Sequence, residues 1–362
     1  MKVALFLIVL IHGLIHFIGF ARAFALVNNS IITREVSKPV GLLWVVTGLL
    51  FIVSAIMIYF KKDGWAFVAL PAVIVSQLLI LTVWSDAKYG AIANGIILLA
   101  AIIGVGAQQF EKRYKTDVKR ALDSEIFQNG IITEKDLEPL PPIVQKYLNY
   151  VGLLGTPKVH NVKIEFEGEM RDKGKDWFPF KSEQYNFFDA PSRLFFMKAK
   201  LKSLPVNGYH RYVAEGACMQ IKFLSLFSVV DIDGPELYPT ETVTFFNDLC
   251  LFAPAALIDK RITWEILDDR SVKAVFTTNK TRISAVLYFN GEGQLVRFKS
   301  WDRMAVSEMK TYPFSTPVSN YKNINNYTLP AYGEGVWHYP DGEFVYGKFN
   351  VKSIEYNVVG LK

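Results

Sequence analysis

The chain has 362 residues, of which 51% are hydrophobic, 14% aromatic and 20% charged, with a formal charge of +6 and two cysteines. The positive charge is scattered, with no Lys/Arg stripe interleaved with stacking aromatics, which argues against nucleic acid as a partner. Two cysteines are too few for a disulfide framework, and Cys218 and Cys250 both sit among apolar residues, where they read as buried thiols.

The averages conceal a split: residues 1–110 carry nearly all the long apolar runs, and from Glu111 onward the chain reads as a mixed soluble sequence. A membrane helix needs roughly 20 mostly apolar residues, and residues 3–27, 40–60, 65–83 and 91–110 qualify. The links between them are short and polar, "NNSIITREVSKP", "KKDG" and "SDAKYG", which predicts an up-down-up-down bundle. Residues 21–23, "ARA", resemble a cleavage site, but the apolar stretch is long and holds two histidines, so the segment is read as a retained span. One side of the four spans has Lys2, Lys61, Lys62, Lys112, Arg113, Lys115, Lys119 and Arg120, eight in all. The other has the four residues Arg22, Arg34, Lys38 and Lys88. By the positive-inside rule this places the C-terminal domain on the cytoplasmic side of a bacterial inner membrane.

The first span contains "IHGLIHFIGFARAF", which sets His12 and His16 four residues apart on one helix face. That spacing suits two ligands of one zinc. Counting depth from the shared end of the first and third spans, Arg22 aligns with Asp86, and His12 then lies level with Ser76 and Gln77. Thr47 arrives from the second span and Asn94 from the fourth, but no further His, Cys, Asp or Glu reaches the histidines. Two His on one helix also cannot ligate opposite faces of one haem. The expectation is a polar seam of His12, His16, Thr47, Ser76 and Gln77, with no metal. Arg22 pairs with Asp86 near Asn94 at the membrane edge, or each charge reaches water separately.

Residues 111–158 read as a helical connector. "FEKRYKTDVKRALDSE" prolongs the fourth span as a charged helix, and "PLPPIVQKYLNYVG" is a short helix with Val144, Tyr147, Leu148 and Val151 on its apolar face, closed by Gly152. From residue 159 the period changes to two: "VKIEFEGEM" alternates Val162, Ile164 and Phe166 with Lys163, Glu165 and Glu167. Roughly ten such runs joined by turn residues predict an antiparallel meander over residues 159–362. One segment, residues 239–258, is instead a greasy helix with Thr240 as N-cap and Pro254 bending its end. "SAVLYF" is apolar on both faces, as a curved sheet with a helical lid over a hydrophobic face requires; an ordinary dry core remains the alternative. In such a cavity Phe245, Phe246, Leu249 and Phe252 would cover an acyl chain, with Trp264, Trp301 and Trp337 as walls. Asn247 and Asp248 either cap a strand or orient a headgroup.

No nucleophile elbow, P-loop, dinucleotide fingerprint or metal motif is found, so no catalytic residue and no cofactor is assigned. "SKPVGLLW", "VWSDAKYGAIANGIILL", "FFNDLCLFAPAALID" and "WHYPDGEF" resemble a bacterial membrane-protein family of unknown function with four N-terminal spans. Its C-terminal domain in turn resembles the lipoprotein-carrier (LolA/LolB-like) fold, a curved antiparallel sheet with a helical lid. The resemblance implies membrane context, a lipid or acyl-chain ligand, and a domain outside the cytoplasmic membrane, the opposite side to the charge count. The expected architecture is thus a four-span α-helical bundle joined to an α+β domain, acting as a multi-pass, lipid-binding membrane protein. The competing functions are a sensor or assembly subunit that binds a protein partner, and a membrane enzyme or metal protein built on His12 and His16.

Overall fold

The computed structural model describes residues 2–26, 31–127, 129–278 and 280–361. The chain divides into two compact units, Met1–Lys112 and Arg113–Lys362.

In the first unit, α1 (Lys2–Ile15) and α2 (Phe17–Ala23) follow each other with a break at His16. Then come α3 (Lys38–Tyr59), α4 (Trp65–Thr82), the short α5 (Trp84–Ala87) and the first part of α6 (Gly90–Ser124). Among the described residues, four helical segments are long and apolar enough to cross a membrane: Val3–Ala23, Lys38–Tyr59, Trp65–Thr82 and Gly90–Ser124. The expected end of the first span at Val27 lies outside the described residues. Leu7, Leu42, Leu78 and Leu99 are exposed, as on helices that are apolar all round and face lipid. With no hydrophobic drive between helices in lipid, close packing must hold them, and small residues permit it. A Cβ on Gly19 would lie 2.3 Å from the Trp44 ring, and one on Gly48 would lie 2.8 Å from the Gly13 carbonyl, so α1 and α2 sit directly against α3.

Beyond Lys112 the charged stretch continues α6 without interruption. Tyr114, Val118 and Leu122, four residues apart, are buried in the second unit. The Tyr114 ring stacks on Phe196 at 5.3 Å, and the Tyr209 hydroxyl donates to Asp117 at 2.8 Å. The short α7 (Glu134–Leu137) begins at a Thr133/Asp136 capping box. Next is α8 (Pro142–Val151), with proline in its first turn and Gly152 at φ 86° closing it. Its Val144, Tyr147, Leu148 and Val151 are buried, as the spacing predicts.

Six strands follow: β1 (Asn161–Met170), β2 (Phe178–Phe187), β3 (Ser192–Leu201), β4 (Leu204–Val213), β5 (Gly216–Phe223) and β6 (Phe227–Asp233). After them come α9 (Leu237–Phe252) and a 3-10 turn, Pro254–Ile258. The last seven strands are β7 (Ile262–Asp268), β8 (Ser271–Thr277), β9 (Arg282–Phe289), β10 (Leu295–Ala305), β11 (Lys310–Ile324), β12 (Tyr327–Tyr339) and β13 (Gly342–Tyr356). All thirteen form one sheet in the order β6-β5-β4-β3-β2-β1-β13-β12-β11-β10-β9-β8-β7, so the ends do not meet. Two meanders are joined where β1 pairs with β13, and α9 carries the chain from the β6 edge to the β7 edge.

The strand number exceeds the expected ten for two local reasons. "MQIKFLSLFSVVDI" alternates as one strand, but Leu224 and Ser225 turn at φ 53° and 58° and split it into β5 and β6. β11 carries Pro313 and Pro317, residues that normally argue against a strand. The helix also begins earlier than expected: α9 starts at Leu237, and Thr240 is no N-cap. Its Oγ1 accepts the Met304 N–H at 2.8 Å, tying the helix to β10.

Candidate functional site

The sheet is curled around α9. Side chains from β5, such as Met219, and from β10, such as Met304, line the same cavity. Those positions lie on the two end strands of a run of nine adjacent strands, a width of roughly 38 Å if the sheet were flat at about 4.8 Å per spacing. Register shifts in the β1–β13, β12–β13 and β10–β11 pairings mark bulges, which bend strands.

The cavity has a volume of about 310 Å³. From α9 it takes Thr240, Glu241, Thr244, Asn247, Asp248, Leu251 and Phe252, a single helical face by their spacing. Opposite them are Phe166, Phe195, Met197, Ile221, Val318 and Phe349 from the sheet. Two polar groupings interrupt this apolar lining. In the first, the Arg193 Nε donates to Asp248 Oδ2 at 2.8 Å and Nη2 donates to Gln184 Oε1 at 3.2 Å, while Nη1 lies 3.5 Å from Glu241 Oε2. Asp248 Oδ2 also accepts from Gln184 at 2.9 Å and Asn186 at 3.2 Å, and Glu241 Oε1 is 3.3 Å from His210 Nδ1. Arg193, Glu241 and Asp248 are all buried. Burial alone would push the Glu241 carboxyl up, but the His210 hydrogen bond and the His210 and Arg193 charges outweigh it and hold the pKa below the ordinary value.

Arg303 forms the second grouping. Its guanidinium carbon lies 3.8 Å from the Phe314 ring centroid, 5.0 Å from Trp337 and 5.7 Å from Tyr346. Its Nη1 donates to the Tyr346 hydroxyl at 3.3 Å.

Of the residues expected around an acyl chain, Asn247, Asp248, Phe252 and Trp337 line the cavity. Phe245, Phe246 and Leu249 point to the other side of α9, where they are sealed in the core; Phe246 stacks on Phe276 at 5.3 Å. The helix is greasy because it is buried on both sides. Trp264 is half-buried on β7, and Trp301 is 46% exposed beside Lys299. A bulge between Ser300 and Arg303 turns Arg303, not Trp301, into the cavity. Sequence reasoning missed Arg193, Glu241 and Arg303. Arg193 left one signal, a lone cation at the head of the otherwise apolar "RLFFM".

The histidines of the first unit form a hydrogen-bonded seam. His16 Nδ1 donates to the His12 carbonyl at 2.7 Å, so its Nε2 accepts from the Ser76 hydroxyl at 2.9 Å. His12 Nε2 donates to Asn94 Oδ1 at 2.9 Å, and Asn94 Nδ2 donates to Gln77 at 3.1 Å. Two expectations change. Thr47 bonds its own helix at the Leu43 carbonyl, 2.7 Å away, rather than a histidine. Asp86 is taken by the Thr33 N–H at 2.8 Å and hydroxyl at 2.9 Å, and forms no ion pair with Arg22 among the described residues. A cavity of about 310 Å³ adjoins the seam, lined by His12, His16, Trp44 and Asp86 among others. Among the described residues no three His, Cys, Asp or Glu side chains converge.

Residues 130–349 match the model of a family of unknown function, DUF6544. No curated protein matches the chain. Among solved structures, it is similar to a putative outer membrane lipoprotein-sorting protein domain from Vibrio parahaemolyticus, at 11% identity. That alignment covers 63% of this chain and 94% of the other, with a TM-score of 0.38. It is also similar to a LolA superfamily protein from Nitrosomonas europaea, at 9% identity over 61% of this chain and 96% of the other, with a TM-score of 0.35.

Proposed function

The chain belongs to the family of unknown function DUF6544, and we propose that it is a membrane-anchored binding protein whose β unit holds the acyl chain of an amphiphile beneath α9. One observation carries the reading: a cavity of about 310 Å³ with apolar walls and two clusters of polar groups. Protein cores pack with few voids larger than a water molecule, and mostly apolar hollows with a few placed polar groups are what small-ligand sites look like. The mechanism is capture without chemistry. Burial of the chain drives binding at about 0.8 kcal/mol per methylene, and the polar groups orient the head.

The test is native mass spectrometry of the full chain extracted from a bacterial membrane. We expect a reproducible adduct that organic extraction resolves into fatty acid or phospholipid. Met197 lines the cavity, so a Met197→Trp variant that fills it should lose this adduct while keeping lipids held by the apolar helices. A folded variant with an unchanged adduct pattern sinks the proposal.

A second reading, binding of a protein partner, is favoured by the edge strand β6, whose Phe227 and Val229 are 63% and 61% exposed. Open apolar edges invite strand addition. A co-purified protein whose removal follows from Val229→Lys would support it, and release unaffected by that change would not. For orientation we propose a cytoplasmic β unit, on the eight-to-four count of Lys and Arg at the span ends. A C-terminal alkaline phosphatase fusion, active only in the periplasm, should be inactive; an active fusion reverses the assignment.

A further inference from the structure

We infer that the amphiphile taken by the cavity beneath α9 is single-chained and anionic, its carboxylate or phosphate head held by Arg303. The inference rests on the binding reading above and sharpens it to a ligand class and a residue.

Two arginines line the cavity, and their circumstances differ. Arg193 is charge-paired by the protein itself: Asp248 takes Nε, Gln184 takes Nη2, and Glu241 stands beside Nη1. Those carboxylates are committed in turn, Asp248 to Gln184 and Asn186 as well, Glu241 to His210. Arg303 has no ion pair among the described residues. Its one hydrogen bond among the described residues is to the Tyr346 hydroxyl, and its Nε is buried without an acceptor. A guanidinium carries five donors, so most of the hydrogen-bonding capacity of Arg303 is unspent.

The surroundings of Arg303 also suit recognition. Phe314, Trp337 and Tyr346 surround it at cation–π distance, which supplies part of the stabilisation that a partly buried cation needs. A planar fork placed in this way matches the two oxygens of a carboxylate or phosphate and binds them by charge-assisted hydrogen bonds. Much of the rest of the lining, including Phe195, Met197, Leu251, Phe252 and Phe349, is apolar, and the buried Asn247 Oδ1 and Thr316 Oγ1, also without a partner, add neutral polar contacts. At about 310 Å³ the hollow lies at the small end of ligand cavities, which suits one chain.

To test this, the full chain in phosphatidylcholine nanodiscs is titrated calorimetrically with dodecanoate, dodecyl phosphate, dodecyltrimethylammonium and dodecanol, with empty nanodiscs as reference. We expect the two anionic chains to bind roughly tenfold or more tightly than the cationic and neutral ones. Arg303→Met should remove that preference and leave dodecanol binding unchanged, and Arg303→Lys, the gentler change, should keep part of it. Inorganic phosphate alone should not bind measurably; if it binds as tightly as dodecyl phosphate, the site serves a free anion and the inference is wrong. Equal affinity for all four heads in the unmodified protein overturns the inference while the binding reading stands. If none of the four binds, the binding reading itself fails.

Discussion

At the scale of single residues, the buried charges decide most. Arg193 is the cation on which Glu241 and Asp248 both depend, and all three are buried. Removing one partner of a buried pair leaves an uncompensated charge, a loss of about 3–5 kcal/mol. Arg193→Met should therefore lower the unfolding free energy by that amount, read from the denaturant midpoint and slope, whereas Arg303→Met, whose charge acts on Glu241 only after those of His210 and Arg193, should cost far less. A midpoint for Arg193→Met within error of the parent would show that the carboxylates find other partners. Glu241 also gives the fold an acid limit. Its folded pKa lies below the ordinary value of 4.5, so it stabilises the protein fully above that value, and the contribution is lost as pH falls through the folded pKa. Thermal melts at falling pH should show a constant midpoint at neutral pH and a drop below about pH 4.5. Glu241→Gln should flatten that drop. An identical acid profile for the variant would assign the acid limit to the depressed surface carboxylates, such as Glu165 and Asp136. Residue types alone disclosed little here. Asn247 and Asp248 stood out as polar residues in a greasy helix, but that Asp248 faces Arg193 across the cavity depends on a strand 55 positions away in sequence.

At the scale of elements, the pairing of β1 with β13 joins the two meanders. Gly168 sits in that seam, where a Cβ would lie 1.9 Å from the Lys348 carbonyl oxygen. Backbone cannot give way as a side-chain tip can, so Gly168→Ala should cost about 1–3 kcal/mol or more. Gly216→Ala, at an open position on β5 with nothing within 4 Å, is the control and should leave the melting temperature unchanged. Equal stability of the two variants would mean that the seam contributes little. Elements were largely legible because their signals are local: apolar runs for the spans, period two for β1, an apolar face closed by glycine for α8. The failures are equally local. Alternation runs straight through the Leu224–Ser225 turn because both residues fit a strand pattern, and the prolines of β11 masked a strand whose neighbours supply its pairing.

At the scale of the whole molecule, α6 belongs to both units, and its last turns are part of the β unit's packing. Tyr114, on that stretch of α6, is 1% exposed beneath Phe196 and Tyr209. A fragment of residues 113–362 should unfold cooperatively. One that starts at residue 125 uncovers those rings and should melt lower or aggregate, which differential scanning calorimetry of the two fragments would resolve. Matching transitions would make the α6 extension dispensable.

Composition and periodicity by themselves determined the division into an apolar helical part and a β-rich part, the helical face of α8, and the exceptional greasiness of α9. These follow from the burial of apolar groups, which is written residue by residue along each element. Tertiary structure alone decided that the sheet has thirteen strands with open edges, that α9 turns Phe245, Phe246 and Leu249 away from the cavity and Asn247, Asp248 and Phe252 into it, and that Arg193 is ion-paired while Arg303, among the described residues, is not. The reason is physical: a helix buried on all sides has no apolar stripe to mark its facing, and the partner of a buried charge is chosen by how the sheet curls around a helix 55 positions away in the chain.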